Sequence, residues 1–352
     1  VDTFVVDRVD SRGELLASEK LIHNIDINNR GDAMSQEITS YSTDNGGVLI
    51  DTPVTYQLLT TRTFDGDHNI SNQMIITYDK KGSLEPLDVQ EVRSESGFHR
   101  SGVANEQVIA TYSDTAKTSL IDLKVITNSE ISLSGNVGVS TIVRYSAAAI
   151  EGGLKDGKIN YLPADMVDEQ VITTTLFDLR GNAREQNIVK RWHDDKDGLL
   201  KFSDAQRITN DPFDFHDRTD HAVILSYKDA SLTDAAFGEM QDINYLAYDK
   251  FGNVGLETID TYTTKAADMA GFVDHKKITN DYGDNPVAQR RGNATVSTVT
   301  KYNSLTELTA NEIDRTVTAT TLFNNMGYAV DQTVDTFVVD RDDSRGEVVA
   351  SE

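Results

Sequence analysis

The sequence predicts an all-β protein in which tandem antiparallel β-hairpins form an extended or spiralling sheet (tube, ribbon or solenoid) with few or no long helices. Three observations predict this class. The two ends of the chain repeat each other, a glycine-containing hairpin motif recurs inside the chain, and strands that end in tyrosine recur between the motif copies. The residue types agree with this class, because Thr, Val, Ile and Tyr fit half-buried strands.

The ends of the chain carry nearly the same sequence. Residues 1–19 read VDTFVVDRVDSRGELLASE and residues 334–352 read VDTFVVDRDDSRGEVVASE. They differ only where Val9, Leu15 and Leu16 are replaced by Asp342, Val348 and Val349. A self-match at a fixed period is the signature of a repeat architecture. We therefore interpret residues 1–333 as one long repeat period of several hairpin units and residues 334–352 as the start of the next copy, and we expect the parent chain to continue on both sides.

A shorter motif recurs inside the long period. It consists of an aromatic residue or Ile, then Asp or Asn, then Gly three residues later. Its copies are Ile27, Asn28, Gly31; Tyr78, Asp79, Gly82; Phe177, Asp178, Gly181; Tyr248, Asp249, Gly252; and Phe323, Asn324, Gly327. The Asp or Asn side chain can bond its own backbone two residues on, and Gly supplies the positive φ that closes a type I turn with a bulge. Each copy therefore predicts a tight hairpin.

Two further positions extend the motif. In four copies a Gln or Glu follows five residues after Gly, which predicts a ladder position on the returning strand; the Tyr78 copy lacks it. Strands that end in tyrosine, followed by a looser polar loop, alternate with the motif at Tyr41, Tyr112, Tyr145, Tyr227, Tyr262 and Tyr302. The loop at 305–313 could hold a helical turn. Turns this closely spaced leave no room for βαβ units and favour an antiparallel meander.

The motif at Tyr78 (YDKKG), Phe177 (FDLRGN) and Tyr248 (YDKFGNV) resembles the tyrosine–aspartate repeat of the RHS family. The resemblance implies a long β-sheet that spirals into a hollow shell. The chain departs from the family pattern because Ile27 and Phe323 replace Tyr, the copies are irregularly spaced, and no self-cleaving segment is visible. The long period is also similar to that of giant repetitive bacterial surface and fibre proteins, which implies a fibre, sheath or adhesin stalk.

Charge and cysteine content restrict the partners. The net charge of −24 repels nucleic acid and anionic lipid, so neither is an expected partner. No run of 18 apolar residues is present, so we expect no insertion into a membrane. The absence of cysteine suits a bacterial surface protein and a cytoplasmic protein equally well. An extracellular or cell-surface location in a bacterium is therefore inferred from the predicted structural function.

No catalytic signature is present. The chain lacks GxGxxG, GxxxxGK[ST], HExxH and GxSxG, and the sequence therefore predicts no enzyme. No cofactor is expected except calcium, for which oxygen ligands alternate in two places. These candidate ligands are Asp65, Asp67 and Asn69, and Asp195 and Asp197. A third acidic cluster comprises Asp211, Asp214, Asp217 and Asp220. For all three clusters, a solvated acidic turn is the alternative interpretation.

These observations predict a structural tandem-repeat protein that builds an extracellular fibre, tube or sheath by stacking β-hairpin repeats. Its partners would be neighbouring repeats or copies of itself. One alternative is an adhesin stalk or carbohydrate-binding surface module with a glycan or cell-surface target. A further alternative is an RHS-type shell that encloses a toxin. A β-helical polysaccharide enzyme is another, and it would require a cleft with convergent carboxylates.

Overall fold

The computed structural model describes residues 1–7, 13–151, 158–324, 329–340 and 346–351. Their regular secondary structure is nearly all antiparallel β-strand, which confirms the predicted all-β class. Helix is limited, in these ranges, to α1 (Pro286–Arg291) and to the 3-10 turns Pro163–Asp165, Asp234–Ala236 and Thr309–Asn311. None of the described helices has the length and apolarity to cross a membrane.

The chain divides into two compact units. The first comprises Val1–Val6, Arg12–Arg207 and Lys228–Leu232, and the second comprises Asp7–Ser11, Ile208–Tyr227 and Thr233–Glu352. The proposed division into a long period, 1–333, and the start of a second copy, 334–352, concerns sequence repeats and stays a prediction. Of the motif residues, Gly327 lies outside the described residues.

The strands up to the end of the first unit are β1 (Asp2–Asp7), β2 (Gly13–Ile27), β3 (Ala33–Ser42), β4 (Thr55–Phe64), β5 (Ile70–Tyr78), β6 (Asp88–Ser94), β7 (Glu106–Tyr112), β8 (Leu120–Ile131), β9 (Val137–Tyr145), β10 (Ala149–Glu151), β11 (Lys158–Asn160), β12 (Met166–Phe177), β13 (Ala183–Asp194) and β14 (Leu199–Asn210). From β1 to β9 each strand pairs with the next. β9 then pairs with β12, and β12 with β13. β10 and β11 form a separate two-stranded ladder.

The second unit contains β15 (His221–Tyr227), β16 (Phe237–Tyr248), β17 (Val254–Tyr262), β18 (Phe272–Asp281), β19 (Val296–Tyr302), β20 (Glu312–Phe323), β21 (Ala329–Asp340) and β22 (Gly346–Ser351). Each of these strands pairs antiparallel with the next. Since successive strands run in opposite directions, alternate connections lie at the same end of the strands. Each unit therefore carries two rows of turns.

The apolar core of the first unit lies on one face of its central strands. It comprises Ile76, Val89, Val108, Ala110, Tyr112, Leu123, Val125, Tyr145 and Ile159. Ile159 belongs to β11, so the short β10–β11 hairpin covers part of this face. Val89, Val108 and Leu123 are completely buried, and burial of such side chains stabilises each by about 1.5–3 kcal/mol. In the second unit the buried residues include Ala222, Met240, Ile243, Tyr262 and Tyr302, spread over successive strands.

Candidate functional site: two rows of hairpin turns

The turn at Asp178 shows how the short motif closes a hairpin. The Asp178 N–H donates to the carbonyl of Asn182 at 2.9 Å, and the Gly181 N–H donates to the carbonyl of Asp178 at 3.3 Å. The Asp178 carboxylate accepts the N–H groups of Arg180 and Asn182, both at 2.8 Å. Burial opposes ionisation of Asp178, but these donors outweigh it and lower the pKa of the carboxyl group. The motif residue thus satisfies the backbone that the turn leaves unpaired.

The same closure occurs at more places than the motif predicted. The bond from the first N–H of the turn to the carbonyl four residues on recurs at Asn28, Asp44, Asp65, His99, Ser132, Asp214 and Asp249. Five of these turns were not identified from the sequence. In four of them Ser or His replaces the Asp, or a residue other than Gly takes the positive φ; in the fifth, at Asp44, Thr43 takes the place of the apolar residue. The signal that could have found four of them is the preceding apolar residue, which is Phe64, Phe98, Ile131 or Phe213.

A left-handed residue is required three positions after the start of each turn. Gly31, Gly181 and Gly252 have φ values of +89°, +92° and +84°, a region that glycine enters at no steric cost. His68 and Asp217 occupy the same position with φ values of +66° and +64°. The structure therefore tolerates a side chain in this conformation at two turns, at a cost of about 1–2 kcal/mol each.

The first calcium candidate is one of these turns. The Asp65 carboxylate accepts the N–H groups of Asp67 and Asn69, both at 2.9 Å, and the Asn69 side-chain amide at 2.9 Å. The Asn69 side chain and these N–H groups lower the pKa of Asp65. The turn therefore already engages the Asp65 carboxylate. In the third acidic cluster, Asp214 accepts backbone N–H groups in the same way.

The second calcium candidate lies in the β13–β14 hairpin. Asp197 accepts the Leu199 N–H at 3.0 Å and pairs with Lys201 at 2.5 Å, and the lysine contact lowers the pKa of Asp197. The side chain of Asp195 lies 3.3 Å from that of His193. Within the described ranges no group of three or more His, Asp or Glu side chains is gathered as a metal site. Calcium binding stays a prediction.

The copy at Tyr78 differs from the other copies. Its connection runs from Asp79 to Leu87, because the last observed pair joins Thr77 to Asp88, so it is a longer loop instead of the expected tight hairpin. Gly82 still has a positive φ of +90°. Strand order also places this connection at the opposite end from the Asn28 and Asp178 turns, with the loops that follow Tyr112 and Tyr145. Tyr78 therefore belongs structurally to the tyrosine-ended strands.

The four other copies share one register with a bulge. In each hairpin the apolar residue before the turn pairs with the residue five positions after its Asp or Asn, as Phe177 pairs with Ala183. In β12 the extra residue is Thr175, because Thr174 pairs with Gln186 and Leu176 with Glu185. An extra residue of this kind is a β-bulge, which strengthens the local twist.

The recurring Gln is a ladder residue, as its position in the motif predicts. Its side-chain amide donates across the hairpin from Gln36 to Asn24 at 2.6 Å, from Gln186 to Thr174 at 3.1 Å, and from Gln332 to Thr320 at 3.0 Å. Glu257 holds the equivalent position opposite Tyr245. Burial raises the pKa of Glu257, because a carboxylate that is partly removed from water is harder to ionise.

Neighbouring turns contact one another along one end of the first unit. Arg30 donates to the carbonyls of Asp65 and Gly66 at 2.9 and 3.0 Å, and His68 pairs with Asp32. Further along, a Cβ added to Gly181 would lie 3.0 Å from the Asn136 Oδ1 atom of the preceding turn. Glycine at 181 therefore meets two requirements, a positive φ and a close approach.

The second unit has equivalent contacts. The Tyr248 hydroxyl donates to the carbonyl of Thr219 in the preceding turn at 2.6 Å, and the Arg218 guanidinium lies 4.7 Å from the centre of the Tyr248 ring. Burial raises the pKa of Tyr248, which keeps its hydroxyl as a donor. On the other side, Asn253 donates to the carbonyl of Gln289 at 2.6 Å. The Asp249 turn is thus held by the turns before and after it.

At the opposite end of the strands, a buried tyrosine next to a register shift recurs. Tyr112, Tyr145, Tyr227, Tyr262 and Tyr302 are buried, and each follows a register shift. The residue before each tyrosine pairs with an acidic residue on the next strand; the acidic residues are Asp122, Asp168, Glu239, Asp274 and Asp314. The tyrosines were recognised in the sequence, but the acidic partners were not.

One ionic cluster lies inside the first unit. Glu91 and Arg93 are fully buried, and Arg93 Nη1 lies 2.9 Å from Glu91 Oε2. Lys117, from the loop that follows Tyr112, reaches the other Glu91 oxygen at 2.5 Å. A buried carboxylate with two cationic partners is compensated. The cluster ties a loop to the core, and its charges are engaged with one another.

Comparisons with known proteins add one similarity. No protein-family model and no curated protein sequence matches the chain. Among solved structures, the chain is similar to a chain in the crystal structure of TcdB2-TccC3 without its hypervariable C-terminal region, with 12% sequence identity and a TM-score of 0.16. The match covers 92% of this chain and 20% of that chain. The β-hairpin repeat character of this protein rests on the strand pairings and turns described above.

Proposed function

We propose that this chain is a structural tandem-repeat protein whose hairpins stack into an extracellular fibre, tube or sheath. The observation that supports the proposal best is the locality of strand pairing. Within each unit, the long strands pair with the long strands that come next in the chain. A sheet of this kind gains strands at its ends without a new central core, as in other quasi-one-dimensional repeat proteins.

The stacked turns support the same function. Within a unit, neighbouring turns supply donors to one another: Arg30 donates to the Asp65 turn that follows it, and Tyr248 donates to the Asp214 turn that precedes it. An added hairpin with the same motif would find the same partners. The net charge of −24 would keep separate arrays apart in solution, because like charges oppose pairing between exposed sheet edges.

Electron microscopy of chains with one, two and three 333-residue periods tests the proposal. We expect particles of constant width whose length increases in proportion to the number of periods. The one-period chain is the matched control, because it has the same composition per residue. Compact particles that widen as periods are added would contradict the proposal. A glycan array probed with the same material tests the adhesin alternative, and specific binding would favour a recognition surface.

A further inference from the structure

The second half of β2 has one edge with no observed partner among the described residues. β1 pairs with the beginning of β2, and the last bonds join Val1 to Lys20. The Lys20 N–H donates to the carbonyl of Val1 at 2.7 Å, and the Val1 amine donates to the carbonyl of Lys20 at 2.6 Å. Among the described residues, no bond on this edge of β2 lies beyond Lys20, and the segment Leu21–Ile27 continues past the pairing with β1.

This edge is apolar and exposed. Leu21, Ile22, Ile25 and Ile27 expose 52%, 46%, 51% and 55% of their surfaces. Contiguous exposed apolar side chains mark an interaction surface, and an edge strand offers unpaired N–H and carbonyl groups to another strand. The Lys20 backbone groups point toward β1, so those of Ile22 and Asn24 point to the same side, because the direction alternates along a strand.

The repeat identifies the segment that fits this edge. Residues 335–340, the second half of β21, match β1, and β22 begins at Gly346 as β2 begins at Gly13. The register also matches. Thr336 pairs with Ser351, and 333 residues earlier in the sequence the equivalent residues are Thr3 and Ser18. The register that places Thr3 opposite Ser18 also places Val1 opposite Lys20, as observed. β21, however, begins at Ala329 and therefore has five residues, 329–333, that precede the counterpart of Val1.

We propose that the Leu21–Ile27 edge of β2 binds residues 329–333 of a second copy of the repeat, the copy that precedes it in an array; this rests on the proposed tandem-repeat function. In an array, Thr333 of the preceding copy takes the position immediately before Val1. If the antiparallel register of the Val1–Lys20 pair continues, Thr333 lies opposite Leu21. Asp331 then lies opposite His23, and Ala329 lies opposite Ile25.

The chemistry of the two segments is complementary. Asp331 brings a carboxylate to His23, and this chain places carboxylates beside other histidines: Asp242 lies 2.8 Å from His221, and Asp260 lies 2.5 Å from His275. Val330, which is 54% exposed in this chain, falls diagonally across from Ile22, within reach of an apolar contact. The backbone groups of Ile22 and Asn24 gain partners from Gln332 and Val330.

A disulfide test measures the register directly, because the chain contains no cysteine. The full chain is extended before Val1 by a copy of residues 312–333, which includes β20. His23→Cys is combined with Asp331→Cys in the added copy. This pair is of the non-hydrogen-bonded kind, with Cα atoms about 4.5 Å apart, which a disulfide can span. The slipped pair, His23→Cys with Val330→Cys in the added copy, is the matched control.

We expect the matched pair to oxidise and the slipped pair to remain reduced. In the extended chain without cysteines, hydrogen exchange at the Ile22 and Asn24 amides should slow by at least about tenfold relative to a chain whose added residues are shuffled. Equal oxidation of the two pairs, or equal protection by the shuffled extension, would overturn the proposal. If the matched pair oxidises but chains of several periods form no filaments, only the proposed function is contradicted. If filaments form but the matched pair stays reduced, only the proposed contact between residues 329–333 and Leu21–Ile27 is contradicted.

Discussion

Replacing Gly181 with alanine tests whether neighbouring turns are packed against each other. Gly181 has a φ of +92°, and an added Cβ would lie 3.0 Å from the Asn136 Oδ1 atom. Gly31 has nearly the same φ, +89°, with no atom within 4 Å of an added Cβ. Gly31→Ala therefore isolates the backbone cost, which is about 1–2 kcal/mol for alanine in the left-handed region. Gly181→Ala adds the displacement of Asn136, about 1 kcal/mol for a side chain forced from its rotamer.

Urea unfolding followed by tryptophan fluorescence measures both variants. Trp192 is the one tryptophan of the chain and lies in β13, the strand that follows the Asp178 turn. We expect the free energy of unfolding to fall by about 2–3 kcal/mol in Gly181→Ala and by about 1–2 kcal/mol in Gly31→Ala. Adding Asn136→Ala to Gly181→Ala should recover about 1 kcal/mol, because the displaced oxygen is gone.

Two results would refute this reasoning. One is an equal loss of stability in Gly181→Ala and Gly31→Ala. The other is a Gly181→Ala cost that stays the same in the Asn136→Ala background. Either result would mean that the turns close independently, and the support that stacking lends to the proposed array would be lost.

Three further predictions concern individual side chains. Glu257→Gln should stabilise the protein by about 1 kcal/mol at pH 7, because it removes a carboxylate whose ionisation burial disfavours. Since burial raises the pKa of Glu257, the wild-type contribution is fully present below the unfolded pKa and is lost as the pH rises through the folded pKa. Urea titrations at pH 4 and pH 7 should therefore show the gain only at pH 7. Arg93→Met should lower the free energy of unfolding by about 3–5 kcal/mol, because it removes a partner of the buried Glu91. The control Arg144→Met, which removes the exposed pair with Asp168, should lower it by less than about 1 kcal/mol, and similar losses in the two variants would contradict the assigned burial. Asp65→Ala should lower the melting temperature, because it removes the acceptor for two backbone N–H groups, and Asp67→Ala should not. If calcium is bound there, a chelator would lower the wild-type melting temperature, and both variants would lose that response.

The sequence by itself determined the all-β class and the repeated hairpin character. Both follow from local rules, since an Asp or Asn with Gly three residues later can satisfy the backbone of its own turn, as at Asp178. The sequence also identified the ladder position at Gln186 and the tyrosine that ends each strand of the second kind. These features are short in range, so the residues that encode them are close together in the chain.

Only the tertiary structure decided which turns share an end of the sheet and what they contact. Tyr78 has the residues of the motif but lies with the tyrosine-ended strands, because the count of antiparallel strands before it sets its end. The approach of Gly181 to Asn136 joins two turns that are far apart in sequence. Such contacts depend on strand order and register, which no local pattern specifies.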